Sequence, residues 1–269
     1  MRTIVHLSDL HFGRTDPAVL EPLLATIAAI EPDVVVVSGD LTQRARSAEF
    51  RQARDFLQLI ATAKVIVPGN HDVPLYRVWE RFLSPLGKFK RHFGGDLTPS
   101  FVDAEIAVVG INTARSLTFK GGRINDEQMA EIHRLLDPID DSVLKIVVTH
   151  HPFDLPDDPG DVKLVGRARA AMEVFARCGV DILLAGHFHT SQSGDTSARH
   201  DLSGYAALVV QAGTATSTRG RGEENSFNVL RVTSDEASIE RRTWRPTTSN
   251  FEVAGTERFL RDGRRWIER

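Results

Sequence analysis

Asp33-Val34-Val35-Val36-Val37-Ser38-Gly39-Asp40 is a run of four valines closed by a glycine and a carboxylate. A strand with one wet face alternates apolar and polar residues. An unbroken β-branched run this short reads instead as a parallel strand covered on both sides. Helical spacing precedes it: Val19, Leu20, Leu23, Leu24, Ile27 and Ile30 share one face of a segment from Pro17 to Ile30, and Pro32 lies just beyond. Before that, Thr3–Leu7 is a short β-rich run. After the valines, residues 47 to 63 read as a second helix and residues 64–67 as a third strand. The order β-α-β-α-β predicts an α/β fold with a mostly parallel sheet.

Working outward, the spacing predicts a short helix over 75–83 and a hairpin turning at Ala104-Glu105. A helix over 126–136, a strand over 143–149, a helix over 167–177 and a strand over 181–185 follow. Three further strands, over 208–212, 227–233 and 237–244, have no helices between them and read as an antiparallel continuation. Residues 245–269 look irregular. From Arg241 onward there are eight arginines against four acidic residues, with Trp244, Phe251, Phe259 and Trp266 interleaved. The expected organisation is one main domain over 1–245 and a basic C-terminal extension over 246–269, packed on that domain or on a partner subunit.

The chain has 269 residues, is 41% hydrophobic and 26% charged, and carries a net charge of −3. That is enough apolar material for a full core and gives no global electrostatic signal for nucleic acid or membrane. A single cysteine, Cys178, excludes an intrachain disulfide and fits a reducing compartment. No charged segment followed by a long apolar run stands at the start, so the expected location is cytoplasmic. A homo-oligomer is left open.

Five of the apolar runs end in polar bursts: Ser8-Asp9-Leu10-His11, Ser38-Gly39-Asp40, Pro68-Gly69-Asn70-His71-Asp72, Thr149-His150-His151-Pro152 and Ala185-Gly186-His187-Phe188-His189. In open α/β sheets, ligands sit outside the carboxyl ends of strands, so the five bursts are expected on one rim. Imidazole and carboxylate without thiolate suit Mn and Fe, with Zn also compatible. The spacing of Asp9 to His11 and of His187 to His189 lets each pair grasp one ion or flank two. His6, His92, His133 and His200 fit no burst and read as structural or surface residues.

The ordered series D-x-H, G-D, G-N-H-D, H and G-H-x-H resembles the calcineurin-like metallophosphoesterases, and within them the bacterial class III cyclic-nucleotide phosphodiesterases. The resemblance implies a four-layer α-β-β-α sandwich of two mixed sheets, with a dinuclear metal site at strand C-terminal ends. It implies that Asp9, His11 and His189 hold one divalent ion, that Asn70, His150 and His187 hold the other, and that Asp40 bridges them. His150 rather than His151 matches the ligand position. His71 would stand by the leaving group, with Asp72 orienting it. The implied reaction is hydrolysis of a P–O ester through attack of a hydroxide bridging the metals, because paired ions stabilise both the attacking and the leaving oxygen.

A small phosphodiester is the expected substrate, with a cyclic nucleotide leading. Asn112, Arg14, Arg219 and Arg221 are candidates for contacting it. The alternatives are a nucleotide-diphosphate or lipid-linked phosphoester, marked by an apolar groove from Leu83, Phe89 and Phe93, or a nuclease, marked by steep salt dependence. A non-enzymatic interaction scaffold would need the ligand set to be lost, and the set is complete.

Overall fold

A computed structural model describes residues 1–118, 121–155, 164–189, 191–196, 204–218 and 223–269. In chain order the elements are β1 (Arg2–Leu7), α1 (Pro17–Ile30), β2 (Val34–Ser38), α2 (Ser47–Gln58), β3 (Ala63–Val67), α3 (Val78–Leu83), α4 (Gly87–Phe93), β4 (Ser100–Val102) and β5 (Ile106–Gly110). Then come α5 (Asp126–Leu136), β6 (Leu144–Val148), α6 (Ala168–Cys178), β7 (Ile182–Ala185), β8 (Gln192–Asp195), β9 (Leu208–Gln211), β10 (Ser226–Val232), β11 (Glu236–Arg245), β12 (Asn250–Asp262) and β13 (Arg265–Glu268).

The strands form two mixed sheets, β13-β12-β11-β10-β1-β2-β3 and β4-β5-β6-β7-β9-β8. β1, β2 and β3 run parallel in the first, and β5, β6, β7 and β9 run parallel in the second. The valine run explains the layering. Val34 and Val36 point into the core between the sheets, beside Ile146 and Val148. Val35 and Val37 point the other way, into a core shared with Val19 and Leu23 of α1 and with Phe50 and Phe56 of α2. A third core lies between the second sheet and helices α5 and α6. Three cores separate four layers, α-β-β-α, the architecture the sequence implied.

Several elements differ from expectation. The second helix stops at Gln58 instead of continuing to Ala63, because the chain must turn for Ala63 to pair with Val34. The helix expected over 75–83 forms only from Val78. The stretch expected to be irregular is strand: β12 pairs along nearly all of β11, and β13 closes a second hairpin on β12. A bulge accounts for its disguise. Arg242 pairs with Val253 but Arg241 pairs with Gly255, so Ala254 is an extra residue. One extra residue reverses which face a side chain takes. Phe251 therefore joins Trp244 in the outer core, whereas Phe259 and Trp266 enter the core between the sheets. No helix among the described residues is long and apolar enough to cross a membrane.

Candidate metal centre

The five bursts meet at one end of the sandwich, three from the C-terminal ends of β1, β2 and β3 in the first sheet and two from those of β6 and β7 in the second. Two glycines make this approach feasible. Gly39 has φ +92°, and a Cβ there would lie 2.6 Å from His150 Nδ1 of the opposite sheet. A Cβ on Gly186 would collide with the Ser8 hydroxyl. Asp9, His11, Asp40, His187 and His189 all adopt φ between 48° and 78°. Non-glycine residues rarely enter this left-handed region, and such strain collects where surrounding structure fixes a functional geometry.

The side chains form two facing sets. Asp9 Oδ1 lies 3.5 Å from His11 Nε2 and 3.4 Å from His189 Nε2. His150 Nε2 lies 3.1 Å from Asn70 Oδ1 and 3.3 Å from His187 Nδ1. Asp40 stands between them: Oδ1 is 3.4 Å from His150 Nε2 and Oδ2 is 3.8 Å from His11 Nε2. Donors each about 2.1 Å from one ion lie roughly 3.0–3.4 Å apart, which is close to these separations. The donor set therefore fits divalent metal. Cys178, the single thiol, is buried in the core under α6, away from these donors.

A second layer of contacts orients the first. His150 Nδ1 is 2.8 Å from the Ser38 carbonyl oxygen. A carbonyl only accepts, so Nδ1 carries the proton and Nε2 presents its lone pair to the centre, the usual arrangement of a metal-binding imidazole. Asp9 Oδ2 accepts from the Ser8 hydroxyl at 2.6 Å and from the His187 N–H at 3.0 Å. Asp40 Oδ1 accepts from the His71 N–H at 2.8 Å.

Burial would raise the Asp9 carboxyl, but the His11 hydrogen bond and the charges of His189, His150 and His11 outweigh it and hold it well below the usual range. Burial likewise opposes ionisation of Asp40, and His150, His11 and His71 hold it low. Burial, reinforced by His150, pushes His187 down to about 4. At neutral pH this leaves His187 neutral and the two carboxylates charged, as metal ligands must be.

His71 Nδ1 lies 2.8 Å from the Gln43 carbonyl, which fixes the ring edge-on to His11 at 4.9 Å between centroids. Asp72 is expected to orient this ring, and its hydrogen bonds reach the backbone that carries the ring. It accepts from the N–H groups of Gly69, Leu41 and Thr42 and from the Thr42 hydroxyl, clamping the turn that carries Asn70 and His71 against the loop after Asp40. Burial and the nearby Asp40 push its carboxyl up to about 6, against these donors.

The remaining candidates divide. Asn112 spends its side chain on its own loop, accepting from the Ala114 N–H at 2.9 Å. Arg14 is exposed on the loop after His11, its carbonyl bonded to Thr218. Arg219, Arg221 and His200 lie outside the described residues. The groove expected from Leu83, Phe89 and Phe93 does not form: Phe89 is in the outer core, with Phe93 packed on it. His151 belongs to the neighbourhood although the motif reading passed over it. Its ring centroid is 4.7 Å from those of both His150 and His187, and Nδ1 is 2.8 Å from the Thr113 hydroxyl. The three histidines can present donor atoms within 4.8 Å of one another. The doubled His150-His151 was the available signal. His6, read as structural, is fully buried against Ser38.

Residues 2–191 match the calcineurin-like phosphoesterase family. The chain belongs to that family. Among curated relatives it is 24% identical over 163 residues to a probable glycerophosphodiester phosphodiesterase of Arcobacter nitrofigilis, covering 59% of this chain and 57% of the relative. It is 23% identical over 207 residues to a probable cyclic nucleotide phosphodiesterase of Synechococcus sp., covering 70% and 73%. The chain thus spans little more than half the length of the first relative. Among solved structures, a purple acid phosphatase from yellow lupin (Lupinus luteus) seeds superposes with a TM-score of 0.71 at 15% identity, over 98% of this chain and 54% of that one. A dimetal phosphatase from Danio rerio gives 0.67 at 15% identity, over 94% and 98%. These two likenesses concern the fold.

Proposed function

We propose that this phosphoesterase-family chain is a dinuclear-metal phosphodiesterase. In this reading Asp9, His11 and His189 hold one divalent ion, Asn70, His150 and His187 hold the other, and Asp40 serves both. The observation that carries it is the carboxylate of Asp40, with one oxygen toward each donor set. Two ions there would supply Lewis-acid stabilisation of phosphoryl oxygens and a hydroxide at neutral pH. Imidazole and carboxylate ligands favour Mn or Fe.

The chain's own residues supply the rest. Ser8 and the His187 N–H hold Asp9 in orientation, and the Ser38 carbonyl does the same for His150. His71 acts as general acid. With Nδ1–H donated to the Gln43 carbonyl, the neutral ring has only a lone pair at Nε2, so the acid is the imidazolium, whose Nε2–H passes to the departing alkoxide and leaves the ring neutral; such donation is worth about 10²–10⁴ in rate. Asp72 is a positioning residue, acting through the backbone of the turn that bears His71. A small phosphodiester is the substrate class, with a cyclic nucleotide leading; the sequence resemblance and the name of the Synechococcus relative support this.

The test is hydrolysis of an aryl phosphodiester and an aryl phosphomonoester, in parallel, by metal-stripped protein with Mn²⁺ restored. Wild type should prefer the diester, Asp40→Ala should be inactive, and His71→Ala should lose most of the diester rate. Hydrolysis of neither ester, or an Asp40→Ala rate equal to wild type, contradicts the proposal and restores the scaffold reading.

A further inference from the structure

Beside the metal centre, the chain leaving His71 exposes an apolar ridge. Tyr76 is 71% exposed, Trp79 81% and Leu83 77%, with Val78 and Phe82 also open. Leu117, 80% exposed, joins the ridge from the loop after β5. The ridge is held in place. Arg81 is buried beneath it and donates to the carbonyls of Pro74, Ser116 and Thr118, tying α3 to that loop. Soluble surfaces rarely gather this many large apolar side chains, and such a patch marks an interaction site.

Its surroundings say what kind. A cleft of roughly 400 Å³ adjoins the ridge, lined by Arg44, Arg46, Pro74, Tyr76, Arg77 and Lys88. Glu80 pairs with Arg77 and Lys88, and Glu49 accepts from the backbone N–H groups of Arg44 and Arg46 and lies 3.9 Å from the Arg46 guanidinium, so four cations face two carboxylates. Among the described residues Arg44 makes no ion pair; its guanidinium donates to the Tyr76 hydroxyl at 2.6 Å and lies 5.1 Å from that ring's centroid. The cleft is therefore net positive in a chain whose net charge is −3.

From this pairing of ridge and cleft we propose that the surface docks on an anionic phospholipid bilayer. The cleft takes headgroup phosphate, and Tyr76, Trp79, Leu83 and Leu117 enter the headgroup–acyl boundary. Amphipathic aromatics flanked by arginine suit that interface, where rings sit at headgroup level and basic groups add electrostatic attraction. A second copy suits it less well, because a two-fold contact over this surface would bring two net-positive clefts into one interface. The proposal stands on this surface alone and does not depend on the hydrolytic reading.

Trp79 provides the readout, since Trp244 and Trp266 are buried. The full chain would be mixed with vesicles of phosphatidylcholine alone or with added phosphatidylglycerol. Sedimented protein and tryptophan emission would both be followed. Wild type should sediment with the anionic vesicles, shift its emission to shorter wavelength, and release as salt is raised. Trp79→Ser with Leu83→Ser should bind about tenfold more weakly. Arg44→Gln with Arg46→Gln should lose the preference for phosphatidylglycerol while keeping the native melting profile. Three results overturn the proposal: no sedimentation at any phosphatidylglycerol content, undiminished binding by the folded Trp79/Leu83 variant, or a wild-type dimer in which Trp79 is already shielded and indifferent to vesicles.

Discussion

Asp40 Oδ1 lies 3.4 Å from His150 Nε2, so a carboxylate from the first sheet faces an imidazole from the second across the seam of the sandwich. Its other oxygen faces His11 within its own sheet. Asp40→Asn keeps the shape but removes the charge that both ion positions would share. Activity should fall by about three orders of magnitude, the equivalent of several kcal/mol of transition-state stabilisation. Steady-state rates at saturating Mn²⁺ check this.

His71→Asn should separate chemistry from metal binding. It should lower kcat by about 10²–10⁴ while metal content stays at the wild-type level. The loss should be larger for an alkyl leaving group than for a nitrophenyl one, whose phenolate departs with less help from a proton. Loss of metal together with activity would make His71 a ligand instead.

The opposite end of the molecule predicts a pH effect on stability. Asp181 lies at the start of β7, with Oδ2 accepting the Lys145 N–H at 2.9 Å and Oδ1 2.7 Å from Arg261 Nη2 on β12. Burial outweighs these partners and pushes its carboxyl from 3.8 up to about 6. The folded state then binds the proton more tightly than the unfolded chain. The group is least costly to the fold below pH 4 and progressively destabilises it as pH rises from about 4 to about 6, by roughly 2–3 kcal/mol. Asp181→Asn lacks this titration. The melting temperature of wild type minus that of the variant should fall across this window; a flat or rising difference contradicts it.

Trp266→Ala should cost about 3–5 kcal/mol, because the indole fills the core between the sheets. Denaturant unfolding checks this. A loss below 1 kcal/mol would mean that the last hairpin is a removable extension.

The molecule also explains what could be read in advance. Val34–Val37 disclosed a strand buried on both faces, and hence layers on both sides. The metal-centre candidates were legible because each polar burst follows an apolar strand. The final hairpin was not, since a period of two is broken at Ala254 and the outward positions of β12 carry charge. β8, Gln-Ser-Gly-Asp, has no β-branched or aromatic residue to announce an edge strand. The carbonyls of Ser38 and Gln43, which fix His150 and His71, leave no trace in sequence because every residue has a carbonyl.

The central claim is a pair of metal positions sharing Asp40. Equilibrium dialysis of metal-stripped protein against Mn²⁺, with ions counted by mass spectrometry, tests it most directly. The account predicts two ions per wild-type chain and loss of at least one in Asp40→Asn. A single ion in wild type, or unchanged stoichiometry and affinity in Asp40→Asn, would contradict it.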